Sequence, residues 1–250
     1  MVGICVMGVF KRLQELGLVT ELKEISCSSG GSLFAPCYIY FKGDIEKMRK
    51  ECDFKNKNMT KSMMNLVRKW GLIDSKTVKN NITSILGPMT FKQLYEHNPI
   101  KLHIAIANLK TGTTEYCSVD TTPDMEVADA VKISCSVPVL FTYTNGYSDG
   151  SLFEYSPCQP FVGKTDVLEI TKPYEDEYKE PSTFGSYMFT IFFSLLKNRI
   201  RHDDIPKIFI ETKENTFNFQ LNPTSRCRLF QDGYDSAVRS PYLSSFITSR

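Results

Sequence analysis

Apolar residues recur at helical spacing over residues 4–16, where Val6, Val9, Phe10, Leu13 and Leu16 predict a helix that Gly17 ends in a left-handed turn. Residues 19–26 read as a connector and a short strand, and residues 30–41 as a buried helix that Pro36 threatens to kink. Residues 42–69 are charged and read as helical and surface-exposed up to Gly71. Asp74 caps the next predicted helix, which Gly87-Pro88 ends, and Thr90 with Gln93 forms a capping box ahead of residues 91–97. The pattern then changes period. Residues 100–108 alternate and are rich in β-branched side chains, a turn at 110–112 follows, and residues 113–119 pair back. A short helix over 129–134 leads to a tight-turn signal at Asn145-Gly146. Residues 163–182, with the acidic run 175–177, read as an exposed excursion. A helix over 183–200, a strand over 207–212 and a helix over 225–238 complete the chain. Helices and strands alternate without a long linker, which predicts one α/β domain over residues 1–250.

Composition narrows the chemistry. Of 250 residues, 42% are hydrophobic and 23% charged, enough apolar material for a sizeable core. The net charge of +2 argues against nucleic-acid binding by bulk charge. None of the 8 cysteines forms a CxxC pair, and three histidines (His97, His103, His202) supply metal chemistry poorly. No secretory signal is visible, so scattered thiols read as a reduced, cytoplasmic protein. The longest apolar run, 184–196, is too short to span a bilayer. Its apolar face (Phe184, Met188, Ile191, Phe192, Leu195, Leu196) with Lys197, Arg199 and Arg201 at its end reads as core, or as a face for transient, peripheral contact with an anionic membrane.

The sharpest segment is Ile25-Ser26-Cys27-Ser28-Ser29-Gly30-Gly31. A strand, a sharp turn and an immediate helix form the arrangement of a nucleophile elbow, in which a serine projects from a strained turn between two small residues. With Ser28 at the centre, Ser26 and Gly30 hold the two small positions, and the following helix brings free N–H groups beside it. A plain Ser/Gly-rich βα turn is the competing reading. The same tetrapeptide, Ile-Ser-Cys-Ser, recurs at 133–136, but Val137-Pro138 follows it, so Ser136 reads as part of a loop packed near a strand. No histidine sits in a convincing place for a base. His97 reads as a cap or surface residue, His103 as interior and His202 as solvated. Asp149, followed by Gly150, can present a carboxylate close to another backbone, although taken alone the pair reads first as an Asx-turn that stabilises a loop. Asp232-Gly233 reads as structural.

Taken in order, these segments resemble the patatin-like phospholipase family. The resemblance rests on residues 8–17, 26–31, 90–96, 102–109, the stretch from Ala128 to Phe141, and Asp149-Gly150-Ser151 with Pro157, and it covers roughly residues 3–240. It implies a three-layer α/β/α fold with a central, mostly parallel sheet. It also implies cleavage of a phospholipid or other glycerolipid ester by a Ser-Asp dyad that needs neither histidine nor metal. Ser28 would be the nucleophile and Asp149 its proton acceptor, with Gly3, Ser29 and Gly30 at the oxyanion site and elbow, and Ser26 and Gly150 completing the motifs. Three departures stand out. Ser26 replaces the leading glycine of the elbow, and Ser151 and Tyr155 replace a small residue and an asparagine. The family's first strand and most of its Gly-rich oxyanion loop are missing, with Gly3 at that loop's last glycine. The expectation is an incomplete start, or a shortened chain with weak or no hydrolysis. A catalytically silent lipid- or protein-binding member is the alternative from another class, and a serine esterase using His97 or His103 is a third reading.

Overall fold

The computed structural model describes residues 2–52, 62–173, 180–182, 187–188, 190–191, 194, 199–213 and 221–243. In chain order the elements are α1 (Val2–Glu15), β1 (Glu24–Cys27), α2 (Gly30–Tyr40), α3 (Ile45–Glu51), α4 (Met63–Lys69), β2 (Gly71–Ile73), α5 (Lys76–Leu86), α6 (Phe91–His97), β3 (Lys101–Asn108), β4 (Thr113–Cys117), α7 (Val127–Ser134), β5 (Val139–Phe141), β6 (Tyr147–Asp149), β7 (Glu169–Thr171), β8 (Lys207–Phe209) and α8 (Pro223–Val238). The predicted apolar helix over 183–200 lies largely outside the described residues, as does the acidic run at 175–177.

Local chemistry sets the boundaries. α1 stops where Gly17 turns left-handed at φ 71°, with Leu18 N–H donating to Leu13 O (2.9 Å) and Gly17 N–H to Gln14 O (3.0 Å). This is a Schellman ending that satisfies carbonyls the helix itself cannot. The capping box of α6 forms as expected, from Gln93 N–H to Thr90 Oγ1 and from Thr90 N–H to Gln93 Oε1. Asn145 and Gly146 both adopt positive φ, the mirror-image turn that delivers the chain into β6. α2 runs through Pro36 without interruption. The charged stretch 42–69 departs from one exposed helix. Lys42 and Gly43 turn at positive φ, Asp44 caps α3, and Ile45 and Met48 are buried. Residues 163–182 also depart from a simple excursion, because β7 pairs in parallel with β8 and carries buried Glu169, which binds Lys207 Nζ at 3.0 Å.

β3 organises the centre, and nearly all of it is buried. β4 runs antiparallel along one edge, matching Ile104 to Cys117 and Ile106 to Glu115. β1 pairs in parallel with the start of β3, ending at Cys27 opposite Ile104. β6 pairs antiparallel with its end, finishing at Asp149 opposite Ile106. Ile104 and Ile106 each already have β4 on one side, so β1 and β6 must share the other edge. They approach head to head, and their last residues are separated by the single position Ala105. β2 with β5 and β7 with β8 form two further parallel pairs. Three of the five strand pairings among the described residues are therefore parallel.

Helices pack on this frame through close backbone contacts. α1 lies against α8, where a Cβ on Gly8 would stand 2.0 Å from Phe230 O and one on Gly233 would stand 1.9 Å from Cys5 O. Asp232-Gly233 is structural, as read, and Asp232 accepts from Thr212 Oγ1 at 2.7 Å. Phe10, Phe34 and Tyr38 pack ring against ring and lock α1 to α2. Gly8→Ala is expected to lower the unfolding free energy by about 1–3 kcal/mol, because two helix backbones must separate to admit one methyl group. Urea titration of the two proteins checks this, and an unchanged midpoint would contradict the close packing.

Candidate active site

Where β1 ends, Ser29 adopts φ 49° and ψ −125° before α2 begins at Gly30. A non-glycine residue there is strained by about 1–3 kcal/mol and persists only if its surroundings hold it. Three groups do so. Ser29 N–H donates to Ser134 Oγ (3.0 Å), while Ser29 O accepts from Ser32 Oγ (2.6 Å) and from the Cys135 thiol (3.1 Å). The strained position is one residue beyond the one expected. Ser28 is not at positive φ, and its carbonyl accepts the Gly31 N–H at 2.9 Å. The small residues two places either side of Ser29 are Cys27 and Gly31, and a Cβ on Gly31 would lie 3.6 Å from Cys27 Cβ. The elbow geometry thus frames Cys27-Ser28-Ser29-Gly30-Gly31. Ser26 sits inside β1 opposite His103, its hydroxyl buried without a hydrogen-bond partner.

The second Ile-Ser-Cys-Ser is the holder of the first. Besides gripping Ser29, residues 134–136 take the end of β6: Asp149 N–H donates to Ser136 O (3.1 Å) and Gly150 N–H to Ser134 O (3.2 Å). Gly150 has a steric reason to be glycine, since a Cβ there would stand 2.0 Å from Ala105 O. One loop and one strand edge therefore fix both the elbow and the aspartate. Asp149 is fully buried. Its Oδ1 accepts from Ser151 N–H (2.9 Å) and Ser151 Oγ (2.6 Å), whereas Oδ2 has no well-formed hydrogen bond. The Ser29 hydroxyl is close enough to stabilise the charged carboxylate. Gly3 lies in the first turn of α1, where an added Cβ would be 2.9 Å from Gly30 O, so the starts of α1 and α2 meet beside the elbow. In α2 the Gly31 N–H is taken by Ser28 O and the Ser32 N–H by Ser29 O (3.0 Å), and both helix dipoles present positive ends beside the elbow.

The patatin-like phospholipase family model matches residues 1–162. The chain belongs to the patatin-like phospholipase family. It is 24% identical over 140 residues to the probable lipid hydrolase 463L of Invertebrate iridescent virus 6, across 52% of this chain and 45% of that relative. The chain thus spans less than half the length of this curated relative. Its fold is similar to the crystal structure of VipD from Legionella pneumophila, with a TM-score of 0.55 and 17% identity over 95% of this chain and 64% of that one. A similarity to the type III effector protein ExoU has a TM-score of 0.42 at 14% identity, over 94% of this chain and 50% of that one.

In this patatin-like fold the histidines stand apart from the elbow in their bonding. His97 Nε2 pairs with Tyr40 O (2.9 Å) and His103 Nε2 with Glu24 Oε2 (3.0 Å). His202, expected in solvent, is largely buried and pairs with Glu154 Oε1 at 3.0 Å. Among the described residues, no group of three or more His, Cys, Asp or Glu is arranged to hold a metal ion. No helix among them is long and apolar enough to cross a membrane.

Burial raises the proton affinity of Asp149 above that of an ordinary aspartate; the Ser151 hydrogen bonds, the nearby Ser29 hydroxyl and the Arg199 guanidinium offset this only in part. The folded state therefore holds this proton to a higher pH than the unfolded chain does. Stability linked to it is full below the ordinary aspartate range and is lost as pH rises through the folded value. Asp149→Asn is expected to be more stable than the native protein at neutral pH, with an advantage that shrinks as pH falls toward 3.8. Paired thermal melts across that range check the sign, and an advantage that grows with acid would overturn it.

Proposed function

We propose that this chain is a serine lipid acyl hydrolase cleaving ester bonds of phospholipids or other glycerolipids, with Ser29 as nucleophile and Asp149 as proton acceptor. The observation that carries the reading is the strained Ser29 beside a buried carboxylate with one oxygen unpartnered. Ser28, at first sight the nucleophile, becomes the residue that leads into the turn. Family membership supplies the substrate class, and the histidines' other partners favour a base that is not imidazole.

Asp149 takes the Ser29 hydroxyl proton as the oxygen attacks the ester carbonyl. The negative charge moves to the carbonyl oxygen, where the Gly30 N–H and the positive dipole ends of α1 and α2 can stabilise it. Collapse breaks the ester C–O bond, and the departing alcohol takes the proton from Asp149. An acyl-serine remains. Asp149 then removes a proton from water, whose oxygen attacks the acyl carbon, and the fatty acid leaves as Ser29 regains its proton. A carboxylate with raised proton affinity suits both steps, because it accepts a proton more readily than an exposed aspartate does.

Turnover of a fluorogenic acyl ester tests the assignment. Ser29→Ala and Asp149→Asn should each lose about 10³-fold or more, whereas Ser28→Ala should stay within about tenfold of the native rate. Replacing His97, His103 and His202 together should leave turnover of the same order. Native turnover in Ser29→Ala would end the assignment, and a collapse confined to Ser28→Ala would return the nucleophile to residue 28.

A further inference from the structure

We propose that the surface formed by Met64, Val67, Trp70, Leu109 and Tyr143 docks on a lipid bilayer bearing anionic headgroups; the choice of a bilayer rests on the lipid-ester reading above. These large apolar residues are unusually open to solvent. Met64 is 57% exposed, Val67 73%, Trp70 67%, Leu109 45% and Tyr143 48%. Met64, Val67 and Trp70 follow one another at three-residue intervals, so they form a stripe along α4 and its C-terminal cap. Trp70 is held in a left-handed conformation at φ 58°, and its ring packs on Tyr143 at 5.3 Å. Tyr143 N–H is bonded to Lys69 O (3.1 Å), which ties the two strips of chain together.

The patch continues around the Asn145-Gly146 turn. Leu109 N–H donates to Gly146 O (2.8 Å), and the Lys110 side chain and Tyr143 hydroxyl both flank Gly146. Cations are interleaved with the apolar residues. Arg68, Lys69 and Lys110 are exposed, and Lys69 shares its charge with Asp74 at 2.8 Å. Aromatic rings with a polar edge, aliphatic side chains and basic residues on one face match the layered chemistry of a headgroup boundary. A second copy fits poorly, because a twofold contact through α4 would bring like charges together.

The patch is also on the useful side of the molecule. β1 and β3 are parallel, and the elbow follows the last residue of β1, opposite Ile104. Leu109 follows the last residue of β3 in the same direction, about 15–17 Å farther along the strand. The Ser136–Tyr143 segment runs from the loop holding Ser29 and Asp149 to the patch itself. A bilayer against this surface would face the end of the sheet at which the candidate nucleophile sits.

Trp70 is the sole tryptophan of the chain, so its emission reports on the patch directly. The full chain is mixed with vesicles of diether phosphatidylcholine and phosphatidylglycerol, which contain no cleavable ester. Trp70 emission is expected to move to shorter wavelength and to be quenched by brominated chains, with a weaker response to phosphatidylcholine alone. The double variant Met64→Glu, Val67→Glu should sediment with vesicles at least about tenfold more weakly, while its turnover of a soluble short-chain ester is unchanged. Unaltered Trp70 emission, or equal sedimentation of the double variant, overturns the proposal. A concentration-dependent dimer abolished by the double variant overturns it in favour of a second copy. Soluble-ester turnover without vesicle binding sinks the docking surface alone, and vesicle binding without turnover in the native chain sinks the hydrolase reading alone.

Discussion

Two strands meeting head to head on one edge of β3 are the constraint on which the site depends. Cys27 stops opposite Ile104 and Asp149 stops opposite Ile106, so the residues that follow β1 and close β6 converge across Ala105. The convergence needs no long side chain to reach across the molecule. It is a matter of register along the buried strand β3, and a slip of one residue is costly because it would turn every side chain of the shifted strand to the opposite face. Gly150 makes the arrangement tight, since even a methyl group there would collide with Ala105 O.

Register alone does not keep Ser29 in its unfavourable conformation. The loop closing α7 does that, through Ser134 on the amide and Cys135 on the carbonyl, while its remaining backbone takes Asp149 and Gly150. The thiols of Cys27 and Cys135 are both buried, and burial pushes the Cys135 thiol up to about 12, so it serves as a neutral hydrogen-bond donor rather than as a nucleophile. Strain at the serine and order at the aspartate therefore have one support. A change in the 134–136 loop would reach both residues at once, which makes the pair a coupled unit in the sense that single replacements are not additive.

Features encoded within four or five neighbouring residues were legible from the sequence. The capping box at Thr90 and Gln93, the glycine stop after α1 and the turn at Asn145-Gly146 all form from local chemistry. Features that depend on a distant partner were not. Glu169 looked exposed because Lys207, which neutralises it in the interior, lies far along the chain. His202 looked solvated for the same reason, its partner Glu154 being 48 residues earlier. The sequence pattern locates the turn, while the position of its strained residue lies one place beyond the expected Ser28. Ser-Ser-Gly-Gly satisfies the small-residue rule with either serine at the centre, and only backbone dihedrals separate the two. The second Ile-Ser-Cys-Ser was recognised as a loop beside a strand, yet nothing local says that the loop grips the first copy of its own tetrapeptide.

Two buried carboxylates, Glu154 and Asp149, are supplied with donors very differently by the same fold. Glu154 receives Cys158 N–H (2.9 Å), Gln159 N–H (3.0 Å) and His202 Nε2 (3.0 Å) on Oε1, and the Tyr116 hydroxyl on Oε2. Each donor offsets part of the desolvation of the charge, and together they pin the chain that follows Asp149. Asp149 receives donors on Oδ1 only, both from Ser151, and Arg199 binds the Ser151 carbonyl at 2.9 Å. Its other oxygen is kept from water and left without a well-formed bond. A fold that supplies four donors to one buried acid is able to satisfy a second. The incomplete shell of Asp149 leaves Oδ2 open beside the Ser29 hydroxyl, which is the condition that the proposed role of proton acceptor requires.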